Sequence, residues 1–378
     1  MKILFISMPS IHVIRWIENL KDSNHELFWF DVTHKGKLET IESVHQFTDW
    51  KKRKVLPIKG EYFLSKKAPH WFEKIKPYIE VSANEALEKI IKKIKPDVVH
   101  SFEMQNCSYP IRKTMDKYAN LKWIYSCWGN DLYYYSNLKE HKNSIIKVLK
   151  RVNFIHTDCQ RDFDIAKSLG FNGKHIGVIP GGTGYKIDEL QEFKLPVEQR
   201  KIILVKGYEH IFGRGLNVIK ALESITEEIK DYKVVVFAAH PIVIEYSKEK
   251  KLPFSILDRH GLKHHEVLEL MGKSLIYIGN SISDGMSNTL LEAIVMGAFP
   301  IQSNPGNVSA EIIIDGENGI LINNPEDINF IKNSISFVIK NPSILKSAYN
   351  TNQIIAKQKL DFKFNRQKVI GLYDKIFI

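Results

Sequence analysis

The chain has 378 residues, of which 44% are apolar and 26% charged, with a formal net charge of +11. This length exceeds what one hydrophobic core usually supports, so we expect two domains and exclude a single small module. The three cysteines are widely spaced without a C-x-x-C pair, which argues against a disulfide framework and a structural zinc site. With no leader pattern and no apolar run of membrane-spanning length, we expect a cytoplasmic protein.

The positive charge is concentrated in the first half of the chain. Residues 1–185 carry 30 Lys and Arg against 20 Asp and Glu, whereas residues 186–378 carry 24 against 23. The asymmetry favours an anionic partner of the first half, such as an anionic membrane surface or a phosphorylated lipid. A solvated lysine-rich surface is the alternative. Nucleic acid is not expected, because aromatic residues are not interleaved in the basic runs.

In chain order, apolar runs alternate with helical patterns. The run Lys2–Met8 ends at Pro9, and residues 11–20 then place apolar side chains at helical spacing. Glu26–Val32 is a second predicted strand, and a long helical pattern covers Ala83–Lys95. Further predicted strands of the first half are Asp97–His100, Leu121–Ser126, Asn153–Thr157 and His175–Ile179. Strands that alternate with helices indicate a parallel α/β sheet.

The pattern restarts after a polar connector at residues 185–200. Its predicted strands are Lys201–Val205, Lys233–Ala238, Phe254–Leu257, Leu275–Ile278 and Ala298–Gln302. We therefore predict two Rossmann-like α/β domains, residues 1–185 and 186–359, and treat a C-terminal helix at 360–378 as a segment that could pack back on the first. Ligands are expected at the carboxyl ends of the strands.

The most informative segment is Ser281–Pro300, which follows a predicted buried strand. It places Asp284 and Gly285 in a turn and begins a helix at Ser287 or Asn288, either of which is a good N-cap. The free N–H groups and positive dipole end of such a helix suit a phosphate. Asp284 and Glu292 would flank that anion and accept hydrogen bonds from sugar hydroxyls. An ordinary capped helix with a surface aspartate is the alternative.

This segment resembles the donor-binding signature of retaining GT-B glycosyltransferases of glycosyltransferase family 4. That signature has two acidic residues separated by seven positions around a glycine-rich helix start, here Asp284 and Glu292. Other matching motifs follow in the expected order: Lys95–His100, Val178–Gly182, Gly213–Gly215, His264–Leu268 and Asp315–Gly319. The resemblance implies the GT-B fold, in which two Rossmann-like domains with parallel sheets face a central cleft.

The resemblance also implies roles on the donor side. Glu292 would bind the nucleotide ribose and Asp284 the hydroxyls of the donor sugar. Arg214, and less directly Lys206, would hold the diphosphate, while Tyr208 stands where the family usually has Arg. The remaining donor-binding positions are Gly213, Gly285, Met286, Ser287 and Asn288. We count Asp284, Arg214 and Asp131 as catalytic.

On the acceptor side, the family often carries a His-Gly-x-Asp element. This chain has Trp128-Gly-Asn-Asp131, so Asp131 matches and an indole replaces the histidine. The turn after the first strand lacks the usual glycines, and its polar groups are His12 and Arg15. His100 follows another strand and completes the acceptor-side set. Asp284 stands where many members have Glu, which leaves the donor sugar open.

Asp162-Phe163-Asp164 resembles the Asp-x-Asp metal motif of the other large glycosyltransferase class. It falls on a predicted helix, where residues two apart do not share a face, so a surface helix is favoured. The adjacent histidines His264 and His265 begin another predicted helix and diverge rather than chelate. We therefore expect no metal and no other cofactor.

Taken together, these features predict a metal-independent retaining hexosyltransferase. A UDP-sugar is the favoured donor and a GDP-sugar the alternative; the acceptor is a saccharide or a lipid-diphosphate-linked saccharide, as in surface polysaccharide biosynthesis. Such an acceptor would bring the protein to the inner face of the membrane as a peripheral protein. The candidate basic contacts there are Lys51–Lys54, Lys66–Lys67 and Lys92–Lys93. The competing class is a non-catalytic GT-B protein that binds a nucleotide sugar or is a partner subunit of a glycosyltransferase complex.

Overall fold

The structure, a computed structural model, describes residues 1–181 and 183–376. Gly182, which belongs to the Val178–Gly182 motif, lies outside the described residues. Two compact units make up the chain. Unit 1 comprises Met1–Thr157, Phe163–Gly177 and the residues from Val369 onward; unit 2 comprises Asp158–Asp162 and Val178–Lys368. The sequence had placed the division at 185/186 and the start of the C-terminal segment at 360.

Unit 1 is built on a parallel sheet with the strand order β3-β2-β1-β4-β5-β6-β7. Its strands are β1 (Lys2–Ser7), β2 (Glu26–Asp31), β3 (His45–Phe47), β4 (Val98–Phe102), β5 (Lys122–Ser126), β6 (Phe154–Thr157) and β7 (Lys174–Val178). The central strands are buried along nearly their whole length, because helices cover both faces of a parallel sheet. This explains why they appear in the sequence as continuous apolar runs.

The helices of the first half lie between these strands, and most of them pack on the sheet. They are α1 (Ile11–Leu20), α2 (Glu61–Lys67), α3 (Pro69–Ile79), α4 (Ala83–Ile94), α5 (Arg112–Lys117), α6 (Asn130–Tyr133), α7 (Lys139–Arg151) and α8 (Gln160–Ser168). The start of α4 shows how local sequence sets a boundary: Ser82 Oγ accepts from Glu85 N at 3.3 Å and Glu85 Oε2 accepts from Ser82 N at 2.8 Å. This capping box satisfies two N–H groups that the helix itself cannot.

Unit 2 repeats the same topology with the order β10-β9-β8-β11-β12-β13. Its strands are β8 (Ile202–Lys206), β9 (Lys233–Ala239), β10 (Ser255–Asp258), β11 (Ser274–Gly279), β12 (Phe299–Ser303) and β13 (Ile320–Ile322). The remaining helices are α9 (Gly215–Glu223), α10 (Pro241–Glu249), α11 (His264–Gly272), α12 (Asn288–Met296), α13 (Ile328–Lys340), α14 (Pro342–Ile355) and α15 (Phe362–Asp374). Helix α12 is almost entirely buried.

Both sheets have the strand order 3-2-1-4-5-6 of the Rossmann fold, with one further strand in unit 1. The order reverses between β1 and β4 in unit 1, and between β8 and β11 in unit 2. At such a switch point, the loops after two neighbouring strands diverge and leave a crevice. The topology therefore designates one crevice in each unit.

The residues between β3 and α4 form an excursion from unit 1 that the sequence did not predict. Arg53 and Glu80 pair as an antiparallel bridge. Lys54 N donates to Ile79 O at 2.7 Å, and Val81 N donates to Lys52 O at 2.8 Å. Residues 52–54 and 79–81 thus close the base of a protruding segment that contains α2 and α3. We call residues 55–78 the 55–78 segment.

Most of the basic run Lys51–Lys54, a predicted membrane contact, is used to hold this base together. Three of its four side chains are ion-paired: Lys51 with Glu80 at 3.4 Å, Arg53 with Glu61 at 2.8 Å and Lys54 with Glu85 at 2.6 Å. Its charge is therefore largely balanced within unit 1. Lys92 is also paired, with Glu88 at 2.8 Å.

Among the helices of the described residues, none combines the length and apolar character needed to cross a bilayer.

Candidate functional site

The switch point of unit 2 brings together residues that the sequence had singled out. Lys206 is the last residue of β8, and the loop that contains Asp284 follows β11. These two strands are direct neighbours in the sheet. The side chains that follow them therefore share one end of the sheet, where a ligand of this fold binds.

The loops after β8 and β11 are hydrogen-bonded to each other. Arg214 N donates to Asn280 O at 2.9 Å, Ile282 N donates to Phe212 O at 2.8 Å, and Gly213 pairs with Ser281 as an isolated bridge. A Cβ on Gly213 would lie 2.2 Å from the carbonyl oxygen of Tyr208, so no other residue fits there without a shift of the backbone. This pairing fixes the Gly213–Gly215 motif beside the Asp284 loop.

The amino end of α12 is organised around the hydroxyl of Thr289. Thr289 Oγ1 lies 3.2 Å from Lys206 Nζ, 2.9 Å from Tyr277 Oη and 3.0 Å from Ser287 Oγ. Of the two predicted N-caps, Ser287 and Asn288, Ser287 holds this position, but its side chain makes no capping hydrogen bond to the helix. The first-turn N–H groups of a helix have no intrahelical acceptor, so this end carries a partial positive charge next to the Lys206 ammonium.

Asp284 is a partly buried residue of this loop, and its carboxylate accepts from the backbone N–H of Gly285 at 2.9 Å. Burial raises the pKa of the Asp284 carboxyl, and the positive charge of Lys206 opposes that shift. Arg161 supports the loop: its guanidinium donates to the Asp284 carbonyl oxygen at 2.8 Å and to the Pro305 carbonyl oxygen at 2.7 Å. Asp284 is thus fixed within electrostatic range of the Lys206 ammonium.

Glu292 lies within α12, and its side chain is 5% exposed. Its Oε1 atom is 2.7 Å from Nε2 of His264, the first residue of α11. Sequence analysis placed His264 at the start of this helix but assigned it no partner. A nucleotide ribose that bound Glu292 would share this carboxylate with the imidazole.

The guanidinium of Arg214 points to protein groups. Its Nε atom is 2.5 Å from Glu326 Oε1, and its Nη1 atom donates to the Gly213 carbonyl oxygen at 2.7 Å. Lys206, the second predicted diphosphate ligand, is therefore the cation that contacts the amino end of α12. Arg214 remains at the same loop but is paired.

Tyr208 occupies the position where the family usually has Arg. The Lys206 ammonium lies 5.5 Å from the centre of its ring. Burial raises the pKa of the Tyr208 hydroxyl; Arg259 opposes this shift and Asp284 adds to it. Arg259, from the loop between β10 and α11, was not identified from the sequence and supplies another positive charge here.

The other donor-side positions line the same turn. Gly285, Met286 and Ser287 are buried, and Asn288 is partly buried at the first helical position of α12. Met286 packs in the core of unit 2. Of the predicted donor-side set, the structure therefore brings Lys206, Asp284 and residues 285–288 together, while Glu292 lies one turn further along α12.

Asp131 in unit 1 is buried and fully engaged. It accepts from Tyr125 Oη at 2.6 Å, from Trp128 N at 3.0 Å and from Cys127 Sγ at 3.1 Å. Burial raises the pKa of Asp131, and these hydrogen bonds oppose the shift. The carboxylate holds the Trp128-Gly-Asn-Asp131 turn in place.

A second carboxylate, Glu103, follows β4 at the switch point of unit 1. Its backbone lies in the left-handed region at φ 68°, which is costly for a residue other than glycine. Its side chain accepts from Gln105 N at 2.9 Å and from Asn106 N at 2.6 Å. Burial, with the nearby charge of Asp131, raises the pKa of Glu103 to about 7. Glu103 is not among the site residues that the sequence predicted.

The acceptor-side residues are partly assembled within unit 1. The rings of His12 and Trp128 are 5.0 Å apart, and both side chains are partly exposed. Arg15, on the next turn of α1, is also partly exposed. His12 and Trp128 therefore form one polar and aromatic surface at the amino end of α1.

His100 is fully buried and presents no surface to an acceptor in this structure. Its Nδ1 atom is 2.6 Å from Tyr373 Oη, and its Nε2 atom is 2.7 Å from Ser126 Oγ. Burial lowers the pKa of His100 well below its usual value. The interior network that it joins also includes Trp16, whose indole N–H donates to Tyr373 Oη at 2.8 Å.

The expectation that Asp162 belongs to a surface helix needs a correction. Asp162 is on helix α8 as predicted, but it is fully buried and paired with Arg161 at 2.7 Å. The pair anchors the arginine that supports the Asp284 loop. Within residues 1–181 and 183–376, no group of three or more His, Cys, Asp or Glu side chains is arranged to hold a metal ion.

Comparison with known proteins gives two consecutive family matches. Residues 2–159 match the family described as "Glycosyl transferase 4-like", and residues 188–357 match "Glycosyl transferases group 1". An uncharacterized glycosyltransferase of Methanocaldococcus jannaschii is 31% identical over 250 residues, which are 62% of this chain and 57% of that protein. The match thus spans little more than half of that relative.

Two solved structures resemble the whole chain. The Anabaena protein Alr3699/HepE, in complex with UDP-glucose, has a TM-score of 0.68 and 13% identity and covers 100% of both chains. The sucrose-phosphate synthase of Thermosynechococcus elongatus has a TM-score of 0.70 and 13% identity, with 100% of this chain and 99% of that one covered. These likenesses and the two parallel Rossmann-like sheets define a GT-B fold. With the two family matches, they identify the chain as a GT-B glycosyltransferase that resembles glycosyltransferase family 4.

Proposed function

We propose that the protein transfers a hexosyl group from a nucleotide diphosphate sugar to a saccharide acceptor, with retention at the anomeric carbon. The observation that carries this proposal is the meeting of Lys206, Asp284 and the amino end of α12 at the switch point of unit 2. A cation and a helix amino end beside a carboxylate suit a ligand that joins a diphosphate to a sugar.

The donor is a UDP-sugar, with a GDP-sugar as the alternative. The solved complex of the similar Anabaena protein with UDP-glucose supports this choice. Glu292 is the residue proposed for the ribose, and Asp284 the one for the sugar hydroxyls. Because His264 is hydrogen-bonded to Glu292, ribose binding would require either a shared carboxylate or a rotation of the imidazole.

In the reaction, the bond between the anomeric carbon and the donor phosphate oxygen breaks while a bond to the acceptor hydroxyl oxygen forms on the same face. The leaving diphosphate takes the acceptor's proton, so the proposal needs no separate base. Negative charge that develops on the leaving group would be stabilised by Lys206 and by the N–H groups of α12. Arg214 could add to this if it exchanged Glu326 for phosphate. No step is routed through a metal ion.

The acceptor that we favour is a lipid-diphosphate-linked saccharide of the kind used in surface polysaccharide assembly. The support is the excess of positive charge in residues 1–185, which suits an anionic lipid or a membrane surface. A saccharide free in solution is the alternative acceptor.

The test is donor hydrolysis without acceptor. The protein is incubated with UDP-glucose, UDP-N-acetylglucosamine and GDP-mannose, with and without excess EDTA, and release of the nucleoside diphosphate is measured. We expect slow release from one donor class, unaffected by EDTA, kept by the matched variant Asp231→Asn and lost in Asp284→Asn. Abolition by EDTA with recovery in magnesium or manganese would contradict the metal-free mechanism.

A non-catalytic nucleotide-sugar-binding protein is the second candidate, because two proposed ligand-binding side chains, Glu292 and Arg214, already have protein partners. Binding of a nucleotide sugar without any release of nucleoside diphosphate, also in the presence of lipid-linked acceptors, would establish this candidate in place of the enzyme.

A further inference from the structure

The 55–78 segment exposes an unusual concentration of large apolar side chains. They are Val55, Leu56, Ile58, Tyr62, Phe63, Trp71, Ile75 and Tyr78. Leu56, Tyr62 and Tyr78 are among the most exposed, at 86%, 77% and 79%. Contiguous exposed apolar surface on a folded domain usually marks an interaction site.

These side chains are not needed to hold the segment against its own domain. Helix α3 packs inward through Phe72 and Ile79, of which Ile79 is buried. Trp71, Ile75 and Tyr78 recur at intervals of four and three residues, so they share the outward face of the same helix. The helix therefore carries a second apolar stripe that faces solvent.

Lysines accompany the exposed aromatic side chains. The segment contains five lysines and two glutamates, and Glu61 and Glu73 are paired with Arg53 and Lys76. The remaining lysines have no acidic partner within the described residues: Lys59, Lys66, Lys67 and Lys74. Lys66 lies 5.9 Å from the ring centre of Tyr62, and Lys74 lies 4.6 Å from that of Trp71. The exposed surface is thus aromatic and cationic at the same positions.

We propose that the 55–78 segment docks on an anionic lipid bilayer, with its aromatic side chains at the headgroup level and its lysines against lipid phosphates. The inference deepens the proposed function by naming the surface that would carry the enzyme to a lipid-linked acceptor. The membrane contact is then formed by helices α2 and α3, and not by the largely ion-paired run Lys51–Lys54 next to them.

A bilayer suits this surface better than a protein partner does. Trp, Tyr and Lys favour the membrane interface, because their apolar part can contact lipid while their polar or charged end stays in water. Protein–protein interfaces are enriched in aromatic residues but depleted in lysine. The lysines are attracted to an anionic surface by charge, and the apolar side chains add a contribution that salt does not screen.

The first experiment is flotation with vesicles of phosphatidylcholine alone and of phosphatidylcholine mixed with phosphatidylglycerol. We expect binding to the anionic vesicles only. The double variant Phe63→Ser, Trp71→Ser should reduce the bound fraction at least tenfold, and Lys66→Glu, Lys67→Glu should do the same at low salt. The matched controls, Phe330→Ser with Phe337→Ser and Lys230→Glu with Lys250→Glu, change exposed residues of unit 2 and should bind like the wild type.

The second experiment places Trp71 at the bilayer directly. Lipids brominated on their acyl chains should quench part of the tryptophan fluorescence of the bound protein, and Trp71→Phe should remove that quenched part while binding persists. Bound protein whose quenching is the same in Trp71→Phe would mean that another surface contacts the bilayer.

Equal binding to neutral and anionic vesicles, or no binding at low salt, would overturn the proposal. So would dimers at raised concentration that the Phe63→Ser, Trp71→Ser variant abolishes without any vesicle binding, because the surface would then join two copies. Donor hydrolysis separates this inference from the proposed function. The Phe63→Ser, Trp71→Ser variant should hydrolyse the donor like the wild type. A protein that binds vesicles but hydrolyses no donor would contradict the proposed enzyme activity and leave the membrane contact standing.

Discussion

Glu292 has one carboxylate and two potential partners. In the structure, this carboxylate contacts the imidazole of His264. In the proposed function, it also accepts hydrogen bonds from the ribose hydroxyls. The two roles need not conflict, because a carboxylate has several lone-pair positions. The contact nevertheless places the imidazole at the proposed nucleotide site.

We expect Glu292→Ala to weaken binding of the nucleoside diphosphate by about 1 to 3 kcal/mol, since the ribose would lose an acceptor. His264→Ala should leave affinity unchanged or raise it, because it frees the same carboxylate. Isothermal titration with UDP and GDP measures both, with Glu245→Ala on the surface of α10 as the control. Unaltered affinity in a folded Glu292→Ala protein would take the ribose away from this residue.

Glu103 is a buried carboxyl group whose pKa is raised from 4.5 to about 7. Between these pH values the folded state holds the proton and the unfolded state has released it. The folded state therefore binds more protons in this window, and its stability falls as pH rises. The effect ends above the folded pKa, where both states are ionised.

Removing this group should remove that dependence. The free energy of unfolding of the wild type, relative to Glu103→Gln, should fall by up to about 3 kcal/mol between pH 4.5 and 7.5. Urea unfolding across this range gives the difference, in which the effects of the buried His100 and His156 cancel because both proteins have them. A difference that does not change with pH would show that Glu103 is ionised in the fold throughout.

At the level of elements, helix α12 is the part of the site that the sequence predicted best. Its apolar run, its glycine after Met296 and its candidate N-caps all agree with the observed Asn288–Met296. What could not be foreseen is that Thr289 links the cation, the N-cap and a tyrosine of β11. Nothing in the spacing of Lys206, Tyr277 and Thr289 brings them together, since the sheet topology does so.

Thr289→Val tests this link with little change in shape. We expect a loss of about 1 to 3 kcal/mol in stability, because the buried hydroxyl of Tyr277 loses a partner. Affinity for the nucleoside diphosphate should also fall, since Lys206 is no longer held at the helix end. Thr226→Val, whose hydroxyl bonds only a nearby carbonyl in its own turn, is the control for both measurements.

The fold of both sheets could be predicted where strands are long, apolar and buried, as at β1, β8 and β11. Strands β3 and β13 were missed because three residues are too few to show a pattern. Helices α2 and α3 were missed because Pro57, Pro69 and Pro77 interrupt their sequence, and because their apolar residues point outward as well as inward.

Only those residues of the candidate site that belong to a recognisable motif could be predicted from the sequence. Asp284, Lys206 and residues 285–288 do meet, whereas the supporting residue Arg161 was not predicted, because it belongs to none of the motifs. From the sequence alone, an arginine that pairs with a buried aspartate looks the same as one beside an exposed aspartate. His100 was expected at a surface because its strand end leads to a crevice, yet Tyr373, more than 270 residues later, covers it.

On the scale of the whole molecule, neither unit is a continuous piece of chain. Residues 158–162 belong to unit 2 although unit 1 resumes after them, and helix α15 begins in unit 2 and ends in unit 1. The last turns of α15 supply Tyr373 to the interior network of unit 1. The core of unit 1 therefore depends on the far end of the sequence.

Tyr373→Phe should destabilise the protein by about 1 to 3 kcal/mol, because the buried Trp16 indole N–H and the His100 ring nitrogen both lose a partner. Tyr62→Phe, which removes a hydroxyl that is exposed to solvent, is the matched control. Thermal and urea unfolding give the comparison. Equal stability of the two variants would mean that the hydroxyl of Tyr373 adds nothing to unit 1.

The closed base of the 55–78 segment has a practical consequence. Because Lys54 N and Ile79 O are 2.7 Å apart, the two ends of the segment already have the geometry of neighbouring strands. A short Asn-Gly turn could replace everything between them, since this dipeptide suits the tight connection of two antiparallel strands. Deletion of the segment in this way should leave the rest of unit 1 folded and give a shorter protein for crystallisation. Inserted into a β-hairpin of another protein, the same segment should present its exposed surface there.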